Sequence, residues 1–180
     1  MDSHIIAAVR GEQEFENALL QNVSIIFDLS PDLLSVANRI KKAHGAGKKL
    51  FVHIDLATGI GKDESGLSFL KGVGVDGIIS TRTNIIKLAK KLDMFTVQRF
   101  FIVDSHSIDT SIEAVKTSKP DMIEIMPGTI AKVIRRLKIE LDMPIVAGGL
   151  IETEKEIEEV LECGASAVST GKKELWKMRG

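Results

Sequence analysis

Two glycine-containing junctions near the C-terminal end of the sequence have residue types that could bind a phosphate. The run PIVAGG ends in Gly148 and Gly149, and the run SAVST ends in Thr170, just before Gly171 and Lys172. Glycine leaves backbone N–H groups uncovered, and the helix N-terminus expected after each run adds partial positive charge. We expect Gly148 and Gly149 to form one half of a phosphate site, and Thr170, Gly171 and the N–H of Lys172 the other. For either junction alone, a tight turn is the simpler interpretation.

Charged side chains recur near the ends of other apolar runs. The carboxylates are Asp28, Asp55 and Glu124, and the guanidinium groups are Arg10, Arg82 and Arg99. Three roles stay open for the carboxylates: ion pairs that neutralise buried charge, ligands for Mg²⁺, and acceptors for the hydroxyls of a small polyol phosphate. Because no pair has a recognisable metal-ligand spacing, we expect no resident metal.

Strand periodicity predicts the direction of some of these side chains. In KLFVHIDL, His53 and Asp55 fall on one face of the expected strand, which we predict to be the interior face. Glu124 is predicted to point inward in MIEIM for the same reason. Gln98 and Arg99 must face opposite ways, and the periodicity does not indicate which of them faces inward.

The elements that must position these residues are eight short apolar runs, each followed by a helical pattern. Alternation of strands and helices predicts parallel strands joined by right-handed crossovers. Eight such units favour a compact (β/α)8 TIM-type barrel with short loops, formed by one domain over residues 1–180, with an open doubly wound sheet as the alternative. The runs are HIIAAV (4–9), SIIFDL (24–29), KLFVHIDL (49–56), DGIIST (76–81), FTVQRFF (95–101), MIEIM (122–126), PIVAGG (144–149) and SAVST (166–170).

Composition narrows the classes of partner. The formal net charge is −1, so no global field attracts the chain to nucleic acid or to an anionic membrane. One cysteine, Cys163, excludes an intrachain disulfide and a cysteine-rich zinc site. No apolar stretch has the length of a membrane helix, and the N-terminal segment lacks the pattern of a signal peptide. We therefore expect a cytoplasmic protein without a membrane partner.

Six sequence motifs, in order along the chain, resemble those of the glycerol uptake operon antiterminator regulatory proteins. The resemblance extends from Ile5 to Trp176. It implies a barrel-like regulator that senses glycerol 3-phosphate and acts on the leader mRNA of glycerol-utilisation genes, with no enzymatic activity and no cofactor. The motifs are FVHIDLATGIGKDESG, DGIISTRTNIIKLAKKL, VQRFFIVDS, PDMIEIMPG, PIVAGGLI and AVSTGKKELW.

The resemblance and the candidate site together predict where the effector binds. The phosphate is expected at the glycine junctions, and the glycerol hydroxyls at Asp55 and Glu124, with Asp28 and Arg10 as further candidates. An enzyme acting on a small phosphate ester, of the isomerase or phosphodiesterase type, remains the alternative, because a barrel mouth with acids and a phosphate site suits both classes.

An RNA-binding surface is not identified by any sequence motif. Basic residues cluster on predicted helices, and each cluster is also what an ordinary solvated helix face looks like. A homo-oligomer would double such a weak basic patch. The clusters are Lys132, Arg135 and Arg136; Lys87, Lys90 and Lys91; and the C-terminal KKELWKMR.

Overall fold

Eight parallel strands close into a barrel in chain order in the computed structural model, which describes residues 4–178. The predicted barrel is confirmed, and the open sheet is excluded. Arg179, part of the basic C-terminal cluster, lies outside the described residues. The strands are β1 (Ile5–Val9), β2 (Ile25–Asp28), β3 (Lys49–His53), β4 (Gly77–Ser80), β5 (Thr96–Phe101), β6 (Met122–Met126), β7 (Ile145–Gly148) and β8 (Ala167–Thr170).

Seven α-helices surround this barrel in the described part of the chain. They match the helical patterns that follow the strands in the sequence, and short loops connect them, as expected. The helices are α1 (Glu12–Leu19), α2 (Val36–Gly45), α3 (Glu64–Gly72), α4 (Thr83–Lys91), α5 (Ser105–Ser118), α6 (Ala131–Glu140) and α7 (Glu154–Glu162). No helix among residues 4–178 is both long and apolar enough to cross a membrane.

Apolar side chains form two separate clusters, one on each side of the strands. The larger cluster joins the outward faces of the strands to the helices, and the smaller one fills the barrel interior. Every strand contributes to the interior cluster, and along each strand the residue two positions later lies one layer nearer the C-terminal mouth. The interior residues include Ile6, Phe27, Phe51, Ile79, Val97, Met122, Val146 and Ala167, one from each strand.

The chain after β8 departs from the expected eighth α-helix. Residues Lys173–Lys177 form a single 3₁₀ turn. Trp176 in this turn is fully buried, and its indole N–H donates to the carbonyl oxygen of Thr170 at 2.8 Å. The final element therefore closes the helix layer with one large aromatic side chain and without a helix long enough to provide a dipole at the mouth.

Candidate ligand site

An open cavity of about 330 Å³ lies at the C-terminal mouth of the barrel, lined by residues in or just after all strands except β3 and β4. Its volume is at the low end of the range for small-molecule sites. Of the nine ligand-binding residues expected from the sequence, six line it, and Gly148, Asp55 and Asp28 do not. The six are Arg10, Glu124, Gly149, Thr170, Gly171 and Lys172.

A buried polar network forms the floor of this cavity. Arg99 Nε donates to Glu124 Oε2 at 2.6 Å, and Ser169 Oγ donates to Glu124 Oε1 at 2.5 Å. Glu124 points inward, as its strand position predicts, and so does Arg99, which answers the question that the sequence left open for Gln98 and Arg99. Gln98 instead hydrogen-bonds to Thr83 and Ser118 in the helix layer.

The space beside Gly148 is filled by the side chains of this network and is not open to a ligand. A Cβ atom at Gly148 would lie 2.4 Å from Glu124 Oε1 and 2.6 Å from Ser169 Oγ. The missing side chain therefore makes room for two polar groups of the protein itself. Ser169 was not anticipated from the sequence, although strand periodicity from Ala167 places it in the same inward-facing layer.

Donors for an anion surround the cavity above this floor. Arg10 has no ion-pair partner among residues 4–178, and Lys172 Nζ lies 3.5 Å from Glu152. Within residues 4–178, the side chain of Arg99 hydrogen-bonds only through its Nε, so its two terminal nitrogens keep donors for a ligand. The backbone N–H groups of Gly149, Leu150 and Gly171 have no acceptor within the described chain. The cavity therefore presents several donors to an anionic ligand.

The Thr170 hydroxyl and the Lys172 N–H were predicted to donate to the phosphate, but they hydrogen-bond to other protein groups. The Thr170 hydroxyl donates to Ile151 O at 2.9 Å and accepts from Lys172 N at 3.1 Å. Both groups already have protein partners, so the Lys172 side chain is the stronger candidate donor. Gly149 and Leu150 both line the cavity in a loop of positive φ, 74° and 58°, and the latter value is unusual for a residue with a side chain.

Helix dipoles contribute less here than the sequence suggested. The N-terminus of α7 is closed by a capping box in which Thr153 accepts from Glu156 N–H and the Glu156 carboxylate accepts from Thr153 N–H. Glu156 also accepts from Glu152 N–H at 2.8 Å. These amides are therefore not available to a phosphate, and the 3₁₀ turn after β8 is too short to replace them.

Asp28 does not reach the mouth, and the expectation that it binds a ligand there is corrected. It follows Ile26 on the outward face of β2 and is completely buried. Its Oδ2 accepts from Arg39 Nη1 at 2.8 Å, and its Oδ1 accepts from Ser30 N–H at 3.0 Å. Asp28 thus attaches strand β2 to helix α2.

Asp55 also lies elsewhere than strand periodicity predicted. The strand ends at His53, and residues Ile54–Leu56 form a 3₁₀ turn, so the alternation of faces stops before Asp55. The Asp55 carboxylate accepts from Ser80 Oγ at 2.7 Å and from Thr81 N at 2.7 Å. Burial acts to raise its pKa, but these hydrogen bonds outweigh it and hold the pKa below the usual value. Asp55 therefore closes the loop after β4.

His53 is buried in the barrel interior. Its Nδ1 has no hydrogen-bond partner in the described chain. Burial, together with the positive charge of Arg99, lowers the pKa of His53 to about 4. The imidazole is therefore neutral at physiological pH.

The three carboxylates considered as Mg²⁺ ligands are not brought together. Asp28 faces the helix layer, Asp55 binds the loop after β4, and Glu124 lies on the cavity floor. Within residues 4–178, no group of three or more His, Cys, Asp or Glu side chains has a geometry that could hold a metal ion.

Sequence comparison matches residues 5–176 to the family described as glycerol-3-phosphate responsive antiterminator. The uncharacterised protein YgcP of Escherichia coli K12 is 35% identical over 175 residues, which cover 97% of this chain and 92% of that protein.

Solved structures give the same result. The glycerol uptake operon antiterminator regulatory protein of Listeria monocytogenes has 34% identity and a TM-score of 0.91, over 97% of this chain and 95% of that one. A glycerol uptake operon antiterminator-related protein of Thermotoga maritima has 34% identity and a TM-score of 0.88, over 99% and 100%. Orotidine 5′-phosphate decarboxylase of Pyrococcus horikoshii, at 16% identity and a TM-score of 0.71 over 92% and 88%, shares the fold alone.

Proposed function

Because this chain belongs to the family of glycerol-3-phosphate responsive antiterminators, we propose that it is an RNA-binding regulator of glycerol-utilisation genes whose effector binds in the mouth cavity. The family is regulatory, and the proposed role is transcription antitermination without catalysis. Such a protein would act in the cytoplasm, where leader transcripts are made.

The observation that carries the proposal is the pairing of a buried polar floor with anion donors in one small cavity. The phosphate would accept from Arg10, Lys172 and the N–H groups of Gly149, Leu150 and Gly171. Charge-assisted hydrogen bonds of this kind are the strong ones, and the low dielectric of a cavity strengthens them further.

The glycerol part of the effector fits the floor of the cavity. Each oxygen of Glu124 accepts one hydrogen bond from the protein, and a carboxylate has lone pairs for further donors. A ligand hydroxyl can therefore donate to Glu124 and accept from a terminal nitrogen of Arg99. This arrangement replaces Asp55 and Asp28 in the role that the sequence suggested for them.

Calorimetric titration with glycerol 3-phosphate, glycerol and inorganic phosphate tests the effector assignment. We expect Arg10→Ala and Lys172→Ala each to weaken glycerol 3-phosphate binding about tenfold or more, since each removes a charge-assisted hydrogen bond. Lys41→Ala is the matched control, because Lys41 is exposed on α2, outside the mouth. Equal affinities for all three variants would place the effector elsewhere.

The same titrations, repeated with a leader transcript and followed by product analysis, test the regulatory role. If the effector stabilises the RNA-binding state, RNA must tighten effector binding by the same factor as the effector tightens RNA binding. Conversion of glycerol 3-phosphate during the titration would contradict the proposal and favour the phosphate-ester enzyme.

A further inference from the structure

We propose that a groove between α4 and α5, beside the mouth, binds unpaired nucleotides of the leader RNA. This inference rests on the proposed function and adds the surface on which the RNA is recognised. The groove has a volume of about 530 Å³ and shares no lining residue with the effector cavity. Effector and RNA can therefore be bound at the same time, as a ligand-responsive regulator requires.

An exposed aromatic ring is the first feature that suits the groove to RNA. Phe101, at the end of β5, lines the groove with 57% of its surface exposed, and the next wall residue, Val103, is 83% exposed. Unpaired bases stack on aromatic side chains with little dependence on sequence. A large ring left in water beside a groove is thus a suitable platform for one base.

A fixed polar group next to this platform can contact the edge of a base. Gln98 is completely buried, and its amide is held by Thr83 Oγ1 at 3.2 Å and by Ser118 Oγ at 2.5 Å. The Thr83 hydroxyl accepts from Gln98 and has no acceptor of its own within the described chain. Its proton is therefore available to a carbonyl oxygen or ring nitrogen of a base.

Two exposed lysines on α4, next to the groove, complement a phosphate backbone. Thr83 lines the groove, and Lys87 and Lys91 follow one and two turns later on α4, exposed and without an ion-pair partner among residues 4–178. Lys90, between them, is instead paired with Asp121 at 2.5 Å.

The acids of the opposite wall differ in their partners. Asp104, which lines the groove, has no ion-pair partner among residues 4–178 and accepts from Ser107 N–H at 2.8 Å. On α5, Asp109 pairs with Arg136 at 2.6 Å and Glu113 pairs with Lys116 at 2.7 Å. The two unpaired lysines beside the groove therefore outnumber the one unpaired carboxylate, Asp104, which favours RNA over an apolar or basic protein segment as the occupant.

Strand β5 offers a direct physical connection between the two sites. Arg99 points from this strand into the effector cavity, while its neighbours Gln98 and Phe100 line the groove. A shift of β5 when the effector binds Arg99 would therefore move the groove residues as well.

Fluorescence anisotropy with a labelled leader transcript of a glycerol-utilisation operon, at saturating glycerol 3-phosphate, tests the groove. We expect Phe101→Leu to weaken binding about tenfold, because leucine keeps apolar surface but loses base stacking, and Phe101→Trp to retain it. Leu20→Ala is the matched control, since Leu20 is 83% exposed at the opposite end of the barrel. If Phe101→Leu bound the transcript with unchanged affinity, the groove would not be the RNA-binding surface, while the proposed RNA-binding function would stand.

The salt dependence of the same binding tests the two lysines. If Lys87 and Lys91 each contact a phosphate, Lys87→Ala/Lys91→Ala should reduce the slope of log K against log salt by about 1.4, and the control Lys41→Ala/Lys155→Ala should leave it unchanged. Equal slopes would contradict the proposal.

A change from dimer to monomer in Phe101→Leu, measured by sedimentation, would also contradict the proposal, because it would assign the groove to a second copy of this chain. Absence of RNA binding by the unmodified protein would overturn the proposed function and this inference together.

Discussion

At Gly148 the space of a side chain is occupied by the Glu124 carboxylate and the Ser169 hydroxyl, whereas Gly171 borders open space. A Cβ atom at Gly171 would meet only Ala8 O, at 3.6 Å, which is an ordinary contact. Both glycines were predicted to belong to one phosphate site, but only Gly148 is required by the packing of its neighbours. Matched alanine substitutions at the two positions test this difference.

We expect Gly148→Ala to lower the free energy of unfolding by about 1–3 kcal/mol, because the added methyl group collides with a buried hydrogen-bonded pair. Gly171→Ala should leave stability unchanged to within about 0.5 kcal/mol. Urea unfolding followed by circular dichroism measures both values. Equal stability of the two variants would show that the Glu124–Ser169 contact does not require glycine.

At the scale of elements, the buried pair of Asp28 and Arg39 attaches helix α2 to the barrel wall. The Arg39 side chain is only 6% exposed and also contacts Glu12 on α1, at 3.2 Å. Two helices and one strand therefore meet at a single guanidinium group.

Removing one partner leaves the other charge buried, so Asp28→Ala should lower the free energy of unfolding by about 3 kcal/mol. The affinity of the folded protein for glycerol 3-phosphate should not change, because Asp28 lies outside the mouth cavity. Urea unfolding and calorimetry on one preparation give both quantities, and the milder Asp28→Asn serves if the alanine variant does not fold. A loss of effector affinity without a loss of stability in either variant would show that Asp28 contributes to the ligand site.

Element positions were predictable from the sequence, while side-chain directions at the element ends were not. Short apolar runs, each followed by a helical pattern, located all eight strands, because strands buried on both faces are continuously apolar. Alternation could not orient Asp55, since the 3₁₀ turn after His53 changes the direction of the next side chain. Nor could it show that Arg99 faces inward, which depends on its pairing with Glu124 from the neighbouring strand. Ion pairs between distant positions, such as Asp28 with Arg39, leave no local sequence signal.

At the scale of the whole molecule, His53 links global stability to pH. The barrel encloses this imidazole near Arg99 and Arg10, with the Asp55 carboxylate as the nearby opposite charge, and its pKa is lowered to about 4. In the unfolded chain a histidine has a pKa of about 6.5. The unfolded state therefore binds more protons than the folded state between these two values, and the free energy of unfolding must fall as pH decreases through this window.

We expect this histidine to contribute about 3 kcal/mol of stability above pH ~7 that is lost progressively between pH ~6.5 and pH ~4. Carboxylates with lowered pKa values, such as Asp55, have the same sign but lose their contribution below pH ~4, because their unfolded pKa values lie there. His53→Gln removes the titrating group and should flatten the profile between pH ~6.5 and pH ~4, leaving only the decline at more acidic pH. Urea unfolding at closely spaced pH values measures both profiles. If His53→Gln kept the slope of the unmodified protein, the buried imidazole would not be the group that makes folding sensitive to mild acid.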